Sequence, residues 1–325
     1  ERADVVAEVL IEGDLLGHDT HGLALLAPYL NEIERGAMAT AGEPEVLNDR
    51  PAALLWDGRR LPGPWLTQRA VDIALDRARA VGTATVVIRR SHHIACLAAY
   101  LRRATEQGMV LLVACSDPNA ASVAPFGGTR AVFTPDPLAI GFPTAGDPVL
   151  VDVSASITTN GMSNRLRAEA RRFAHPWLMD AGGRPTDDPA VLAAEPPGTI
   201  LPLGGLDAGH KGYGLALLNE ALTGGLAGHG RADPKEGWGA TVFVQAFDPD
   251  AFGGRDAFLR QAECLAAQCR DNPPRPGVDK VRLPGERALA RRREQLAGGV
   301  RLHPAILPAL EPWAQRLGVP TPPAT

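Results

Sequence analysis

Between residues 69 and 114 the apolar pattern switches repeatedly between two periods, and this run constrains the fold more than any other part of the chain. Val71, Ala74, Leu75 and Ala78 repeat at helical spacing up to Gly82. The β-branched run Thr85-Val86-Val87-Ile88 follows, then a second helical stretch from Ile94 to Gln107, stopped by Gly108. The next strand reads Met109–Ala114. Both strands are too continuously apolar to face water on either side. A helix–strand–helix–strand order with buried strands predicts an α/β or mixed α+β fold.

Further strands are expected at Ala53–Trp56, Ala131–Thr134, Leu138–Phe142, Val149–Val153 and Thr241–Ala246. Residues 2–17 read as an amphipathic helix ending at Gly17, and helical spacing is present from Val5 onward, so the chain opens inside a helix. A second run, Leu23 to Ile33, ends near Gly36 and contains Pro28, which predicts a kink or a late start. Residues 40–64 are rich in Pro and Gly. Residues 175–209, dense in Gly, Pro and Asp, read as a long, partly ordered loop. Leu215, Leu218, Leu222 and Leu226 mark another helix, and Phe258–Cys269 one more. Residues 271–286 and 303–325 read as Pro-rich closing segments. The expected division is a mainly helical lobe from 1–68 plus 248–325, and an α/β domain at 69–247.

The 325 residues are 45% hydrophobic and 22% charged, which excludes a disordered or collagen-like chain. The net charge of −4 argues against a nucleic-acid or membrane-surface binder. Cys96, Cys115, Cys264 and Cys269 form no CxxC and read as free thiols in a reducing compartment, which points to the cytoplasm. No apolar run approaches the roughly 20 residues of a membrane span.

No G-x-G-x-x-G joins a strand to a helix, so a Rossmann first turn is not expected. Four polar clusters remain. His18-Asp19-Thr20-His21-Gly22 reads either as a site or as a cap, with Thr20 as N-cap and His21 in the first turn. His18 and His21 stand three apart, but no third ligand follows at helical spacing, so no metal is expected. Ser91-His92-His93 follows the strand at 85–88, where α/β folds place catalytic side chains. A neutral imidazole there can move a proton; equally, Ser91 caps the next helix and both histidines are solvated. Asp152 to Gly161 is rich in hydroxyls at a strand end, which suits phosphate or a plain turn. Leu203-Gly204-Gly205 through Lys211-Gly212-Tyr213-Gly214 places a glycine-flanked lysine at a helix start.

In this order and at these separations the clusters resemble the malate/L-lactate dehydrogenase family that lacks a Rossmann fold. That family includes ureidoglycolate and sulfolactate dehydrogenases and piperideine-carboxylate reductases. The resemblance rests on Thr20-His21-Gly22, Ser91-His92-His93, Val123-Ala124-Pro125-Phe126-Gly127-Gly128, and Thr134 to Pro143. It continues through Asp152 to Ser156, Trp177 to Asp180, Pro185 to Pro189 and Pro202 to Gly205, then Lys211 to Leu215 and Leu283-Pro284-Gly285-Glu286. It implies a non-Rossmann cofactor domain with a mixed sheet at 69–247. It also implies His93 as the proton-transfer residue, His21 in the same site, and Asp180 as a further aspartate in proton work. Thr20 and Tyr29 are implied to contact substrate. Asp117, Asp152, Val153, Ser154 and Lys211 are implied to bind NAD or NADP, with Arg282, Pro284, Gly285 and Glu286 closing over it.

Two departures bear on the substrate. Leu25 stands where the family carries an arginine that grips a carboxylate, and Met162 where it carries a lysine. Arg165 and Arg167 read as ligands for a ribose 2′-phosphate or as a solvated helix face. The resemblance therefore implies an NAD(P)-dependent oxidoreductase moving a hydride between nicotinamide and a small 2-hydroxy or 2-oxo acid. The alternatives are a ketimine reductase on the same scaffold and a nucleotide-binding relative without catalysis. A small-molecule substrate and a homodimer are expected, and no nucleic acid or membrane partner.

Overall fold

The computed structural model describes residues 1–320. The chain begins with helices α1 (Arg2–Leu16) and α2 (Leu26–Glu34), followed by strands β1 (Glu45–Arg50) and β2 (Ala53–Asp57). Then come α3 (Gly63–Val81), β3 (Thr83–Ser91), α4 (Ala98–Thr105) and β4 (Val110–Ser116). After β5 (Pro137–Phe142), β6 (Val149–Ser154) and α5 (Asn160–Ala168) stand the short strands β7 (Leu178–Met179), β8 (Pro185–Thr186) and β9 (Thr199–Ile200). The chain closes with α6 (Gly205–Glu220), β10 (Ala240–Phe247), α7 (Arg255–Arg270), α8 (Glu286–Gly298) and α9 (Ile306–Leu317).

The main sheet has the order β1-β2-β3-β10-β4-β5-β6. Only β2 and β3 pair in parallel; every other neighbouring pair is antiparallel. The sheet is thus mixed, and its order excludes a doubly wound arrangement. Because β10 separates β3 from β4, those two strands run the same way without touching, and β6 runs with them. One sheet edge therefore collects the chain just after β3, β4 and β6, together with the starts of β5 and β10. Every polar cluster near a strand end falls on that edge.

Alternation along the strands explains why they read as continuously apolar. Val86 and Ile88 join α3, α4 and α1 in the larger core, with Val242, Val244 and Ala246 of β10. Val87 and Phe243 face the other side, where Ala227 and Leu222 cover them. Both faces are closed, so period-two side chains are apolar at each position. Tight packing beneath the sheet also fixes α3, whose Ala70, Ala74 and Ala78 are fully buried.

Several expectations change. Ala131–Thr134 forms no strand, only a bridge from Phe133 to Val123. β1 was hidden in the Pro/Gly-rich stretch because all six of its residues are exposed, so it carries no apolar alternation. The stretch 175–209 contains the small sheet β8-β7-β9 and its own core around Phe173, Leu178 and Ile200. The helix expected at 94–107 begins only at Ala98, since His92–Leu97 is irregular and Ala95 has φ 61. α2 starts late, after a 3-10 turn at Leu23–Leu25, which leaves Pro28 in its first turn where its missing N–H costs nothing. The closing segment at 303–325 contains α9; its last five residues, 321–325, lie outside the described residues. No helix among the described residues is long and apolar enough to cross a membrane.

Candidate active site

β3 ends at Ser91, whose buried hydroxyl donates to the His92 carbonyl (2.8 Å) and caps no helix. The backbone after it is pinned from below by α3. A Cβ on Gly63 would lie 2.2 Å from the His92 carbonyl oxygen and 2.3 Å from that of His93. The two imidazoles then diverge. His92 turns inward, fully buried, with Nε2 3.2 Å from a Glu32 carboxylate oxygen. His93 is half-buried and turns toward the loop that carries His21.

The Ala95 N–H donates to His93 Nδ1 (3.3 Å), so Nδ1 is an acceptor and the neutral ring carries its proton on Nε2. The Tyr29 hydroxyl lies 2.8 Å from the same Nδ1 and 3.2 Å from the His93 carbonyl. Tyr29 is buried behind the ring, with its hydroxyl on His93. Trp238 covers His93 at 4.8 Å between ring centroids and also contacts Tyr29 and His92. Burial pushes the His93 pKa well below its ordinary value, with neighbouring His21 and His92 acting the same way.

His21 is positioned by the end of α1. Gly17, at φ 86, turns the chain, with its N–H on Asp14 and the His18 N–H on Gly13. The Asp14 carboxylate then accepts from the Leu23 N–H (2.7 Å) and packs on Gly22, where a Cβ would lie 2.4 Å from its carboxyl carbon. Burial pushes Asp14 up to about 6. Thr20 is not a helix cap: its Oγ1 sits 2.9 Å from His21 Nδ1 and fixes that ring. The His21 and His93 centroids are 5.9 Å apart. Burial lowers His21 to about 4, helped by His18 and Arg165. Two neutral imidazoles thus lie beside one another.

His92 gives a pH test. Burial lowers its pKa to about 4, against the opposing pull of Glu32. A histidine depressed in the folded state adds stability that is complete above pH 6.5 and lost as pH falls toward about 4. Raised carboxyls such as Asp14 act in the opposite sense, so wild-type melting alone does not isolate the term. The stability difference between wild type and His92→Asn does. It is expected to shrink by about 1–3 kcal/mol between pH 7 and pH 4, read from paired urea titrations.

The other expected residues divide into two groups. Asp117 follows β4 and holds Asn119 through its N–H and side-chain amide; its other oxygen is 3.4 Å from the Gly239 N–H, next to Trp238. Burial raises its pKa. Asp152 on β6 accepts from the Ala98 N–H (2.9 Å), at the first residue of α4, beside Cys96. Val153 is exposed, and the Ser154 hydroxyl donates to the Ser156 carbonyl. These residues share the sheet edge with the histidines. Lys211 is exposed on α6, next to Gly212, which packs against Ala155.

The remaining residues take other positions. Asp180 closes the β7–β8 turn, one oxygen accepting from the Gly182 and Arg184 N–H groups at 2.9 Å each. The Pro284 carbonyl accepts from the Leu150 N–H, Gly285 (φ 92) packs on Leu150, and Glu286 pairs with Arg270 at 2.6 Å. Arg282 is exposed, 3.7 Å from Asp279. This segment seals the β6 edge. Leu25 packs against the main core. Arg165 binds Asp19 through its side chain (2.9 Å) and carbonyl (3.1 Å), while Arg167 is exposed. Sequence reasoning missed Trp238, Asp14 and Glu32; no local pattern marks them, since each acts on a residue distant in the chain.

With this geometry in view, residues 1–311 match the family model described as malate/L-lactate dehydrogenase. The chain belongs to that family. It is 33% identical to an L-lactate dehydrogenase of Cupriavidus necator, over 99% of this chain and 93% of that one. The malate dehydrogenase of Entamoeba histolytica shares its fold, with a TM-score of 0.93 and 24% identity over 99% and 93% of the two chains. The delta1-piperideine-2-carboxylate reductase structure from Pseudomonas syringae superposes with a TM-score of 0.81 at 29% identity, covering 96% and 92%. The malate/L-lactate dehydrogenase resemblance is thus borne out along nearly the whole chain, and the protein is a dehydrogenase.

Proposed function

We propose that this dehydrogenase transfers a hydride between NAD or NADP and a small 2-hydroxy or 2-oxo acid, with His93 handling the proton. The observation that carries the reading is the neutral, half-buried His93, its Nδ1 engaged by Tyr29 and Ala95 and its Nε2 edge left free beside His21. The donor chemistry suits a nicotinamide nucleotide. At the start of α5 the Met162 N–H is capped by Thr159 Oγ1 (3.2 Å), while the Asn160 and Gly161 N–H groups precede the first intrahelical bond. A Cβ on Gly161 in that turn would fill the gap, 3.2 Å from Thr20 and 3.6 Å from His21 Cε1. An anionic group fits such a helix start. Asp117, Asp152, Val153, Ser154 and Lys211 would hold the cofactor, with the segment from Arg282 through Pro284 and Gly285 to Glu286 beside it.

When bound, the nicotinamide supplies the hydride chemistry. His93 supplies the proton path. In reduction the acid would be the ring protonated at both nitrogens, whose Nε2–H would give its proton to the substrate oxygen and leave a neutral imidazole with its remaining proton on Nδ1. In oxidation Nε2 must be bare. The ring proton then sits on Nδ1 and donates a hydrogen bond to the Tyr29 oxygen in place of the Ala95 N–H contact, the Tyr29 O–H turns to the His93 carbonyl, and Nε2 takes the substrate hydroxyl proton to give the doubly protonated ring. Thr20 holds the His21 ring beside His93. Leu25 offers no charge, so the substrate carboxylate relies on N–H donors rather than an arginine fork. Asp180 remains a proposed contributor only if the β7–β8 turn approaches the bound substrate.

Likeness to the Pseudomonas syringae reductase favours one second reading, reduction of a cyclic C=N substrate on the same residues. Turnover of 2-oxo acids and cyclic imines, each with NADH and NADPH, separates the two. Either reading requires cofactor binding. NADH or NADPH at about 100 times its Kd is expected to stabilise the fold by about 2.7 kcal/mol, seen as a raised melting temperature. An unchanged melt with both nucleotides at millimolar concentration would remove the dehydrogenase mechanism. A homodimer is also proposed, supported by α6, whose Leu206, Leu217 and Leu218 are each 49% exposed. Light scattering is expected to give twice the chain mass, and Leu217→Glu with Leu218→Glu half of that. The four free cysteines support a reducing, cytoplasmic setting.

A further inference from the structure

His18, Cys96 and Asp152 come from three elements: the turn after α1, the irregular segment before α4, and β6. One ligand atom from each, an imidazole nitrogen, a thiol sulfur and a carboxylate oxygen, lies within 4.8 Å of the other two. Cys96 Sγ and Asp152 Oδ2 are 3.9 Å apart. A zinc ion bound at about 2.3 Å to sulfur and about 2.0 Å to nitrogen or oxygen sets its tetrahedral ligands about 3.5 Å apart. A small side-chain rotation covers the difference.

The frame is rigid. His18 is tied by its N–H to Gly13 and by its carbonyl to the His21 N–H. Cys96 packs at 3.4 Å from the Cβ position of Gly13, and Asp152 is held by the Ala98 N–H. Cys96 is buried while His18 is half-buried, so the cluster has a closed floor and an accessible wall. The imidazole has no hydrogen-bond partner among the described residues. One nitrogen, one sulfur and one oxygen form a borderline-soft set, suited to Zn²⁺ over Mg²⁺ or Ca²⁺. Three protein ligands leave a fourth position for water.

We propose that His18, Cys96 and Asp152 form a binding site for Zn²⁺ or a cation of its class, and that its occupancy inhibits the enzyme by competing with the cofactor. The inhibition rests on the reading that Asp152 lies in the cofactor site; the metal site itself does not.

The test uses the full chain, freed of metal by chelation. Co²⁺, a spectroscopic substitute for zinc, is expected to bind at one equivalent with a near-ultraviolet thiolate charge-transfer band. Cys96→Ser should abolish the band, and His18→Gln should weaken Co²⁺ and Zn²⁺ affinity by about tenfold or more. A band that survives in Cys96→Ser would trace to Cys115, Cys264 or Cys269 and overturn the site, as would wild-type affinity in both variants. The second arm reads nucleotide binding by fluorescence. Zn²⁺ should weaken NADH or NADPH binding in the wild type and leave it unchanged in His18→Gln and Cys96→Ser. Metal binding without that competition would overturn the inhibition alone. Failure of nucleotide binding in metal-free protein would instead count against the dehydrogenase mechanism.

Discussion

His93→Asn is expected to keep cofactor binding and lose turnover by about 10²–10⁴-fold, the range that general acid–base catalysis supplies. Asparagine is a fair structural stand-in. Its side-chain oxygen can accept from the Ala95 N–H and the Tyr29 hydroxyl, which His93 Nδ1 now does at 3.3 and 2.8 Å. It has no group that can pass a proton at the Nε2 position. Stability should therefore change little while kcat falls. His92→Asn is the control, because its neighbour faces the other way: it is fully buried, against Glu32. That variant should lose stability and keep turnover per folded molecule. Equal activity losses in both would mean a general disturbance of the segment. Normal turnover in His93→Asn would shift the proton to His21.

The pattern that made the Ser91-His92-His93 cluster legible is a strand read from apolar continuity followed at once by polar residues; the family resemblance singled out His93. The strand at 85–88 proved to be the centre of β3, and its C-terminal end lies on the edge where the site forms. His21 was visible as a short polar insert between two helical patterns. What surrounds these residues was not visible. Trp238 reaches His93 only because β10 inserts between β3 and β4, and that pairing is non-local. Glu32 reads as a surface residue on an amphipathic helix, yet it is buried to meet His92.

Misread elements fail for physical reasons as well. β1, Glu45-Val46-Leu47-Asn48-Asp49-Arg50, is an edge strand with every residue exposed, so nothing in its hydropathy marks it. β7, β8 and β9 are two residues each, too short to show a period. Ser91 looked like a helix cap because polar residues precede a helical pattern, but six residues of irregular chain separate it from α4.

Gly63→Ala is expected to cost about 3 kcal/mol or more in stability and most of the activity. The Cβ would stand 2.2 and 2.3 Å from the carbonyl oxygens of His92 and His93. Those atoms are backbone, so no side-chain rotation relieves the contact. Nor can α3 back away easily, since Trp65, Leu66 and Ala70 are buried in the main core. Overpacking a close-fitted core costs about 1–3 kcal/mol when neighbours can shift, and more where they cannot. Whatever gives way includes the segment that aims His93. A displacement of about 1 Å at a catalytic group is enough to cost about 10²-fold in rate. Gly253→Ala is the matched control: no atom lies within 4 Å of its Cβ position, and its φ is not left-handed. It should melt and turn over as wild type. Retained kcat in a destabilised Gly63→Ala would show that the His93 position tolerates a moved backbone, and would separate the packing of α3 from the chemistry at the sheet edge.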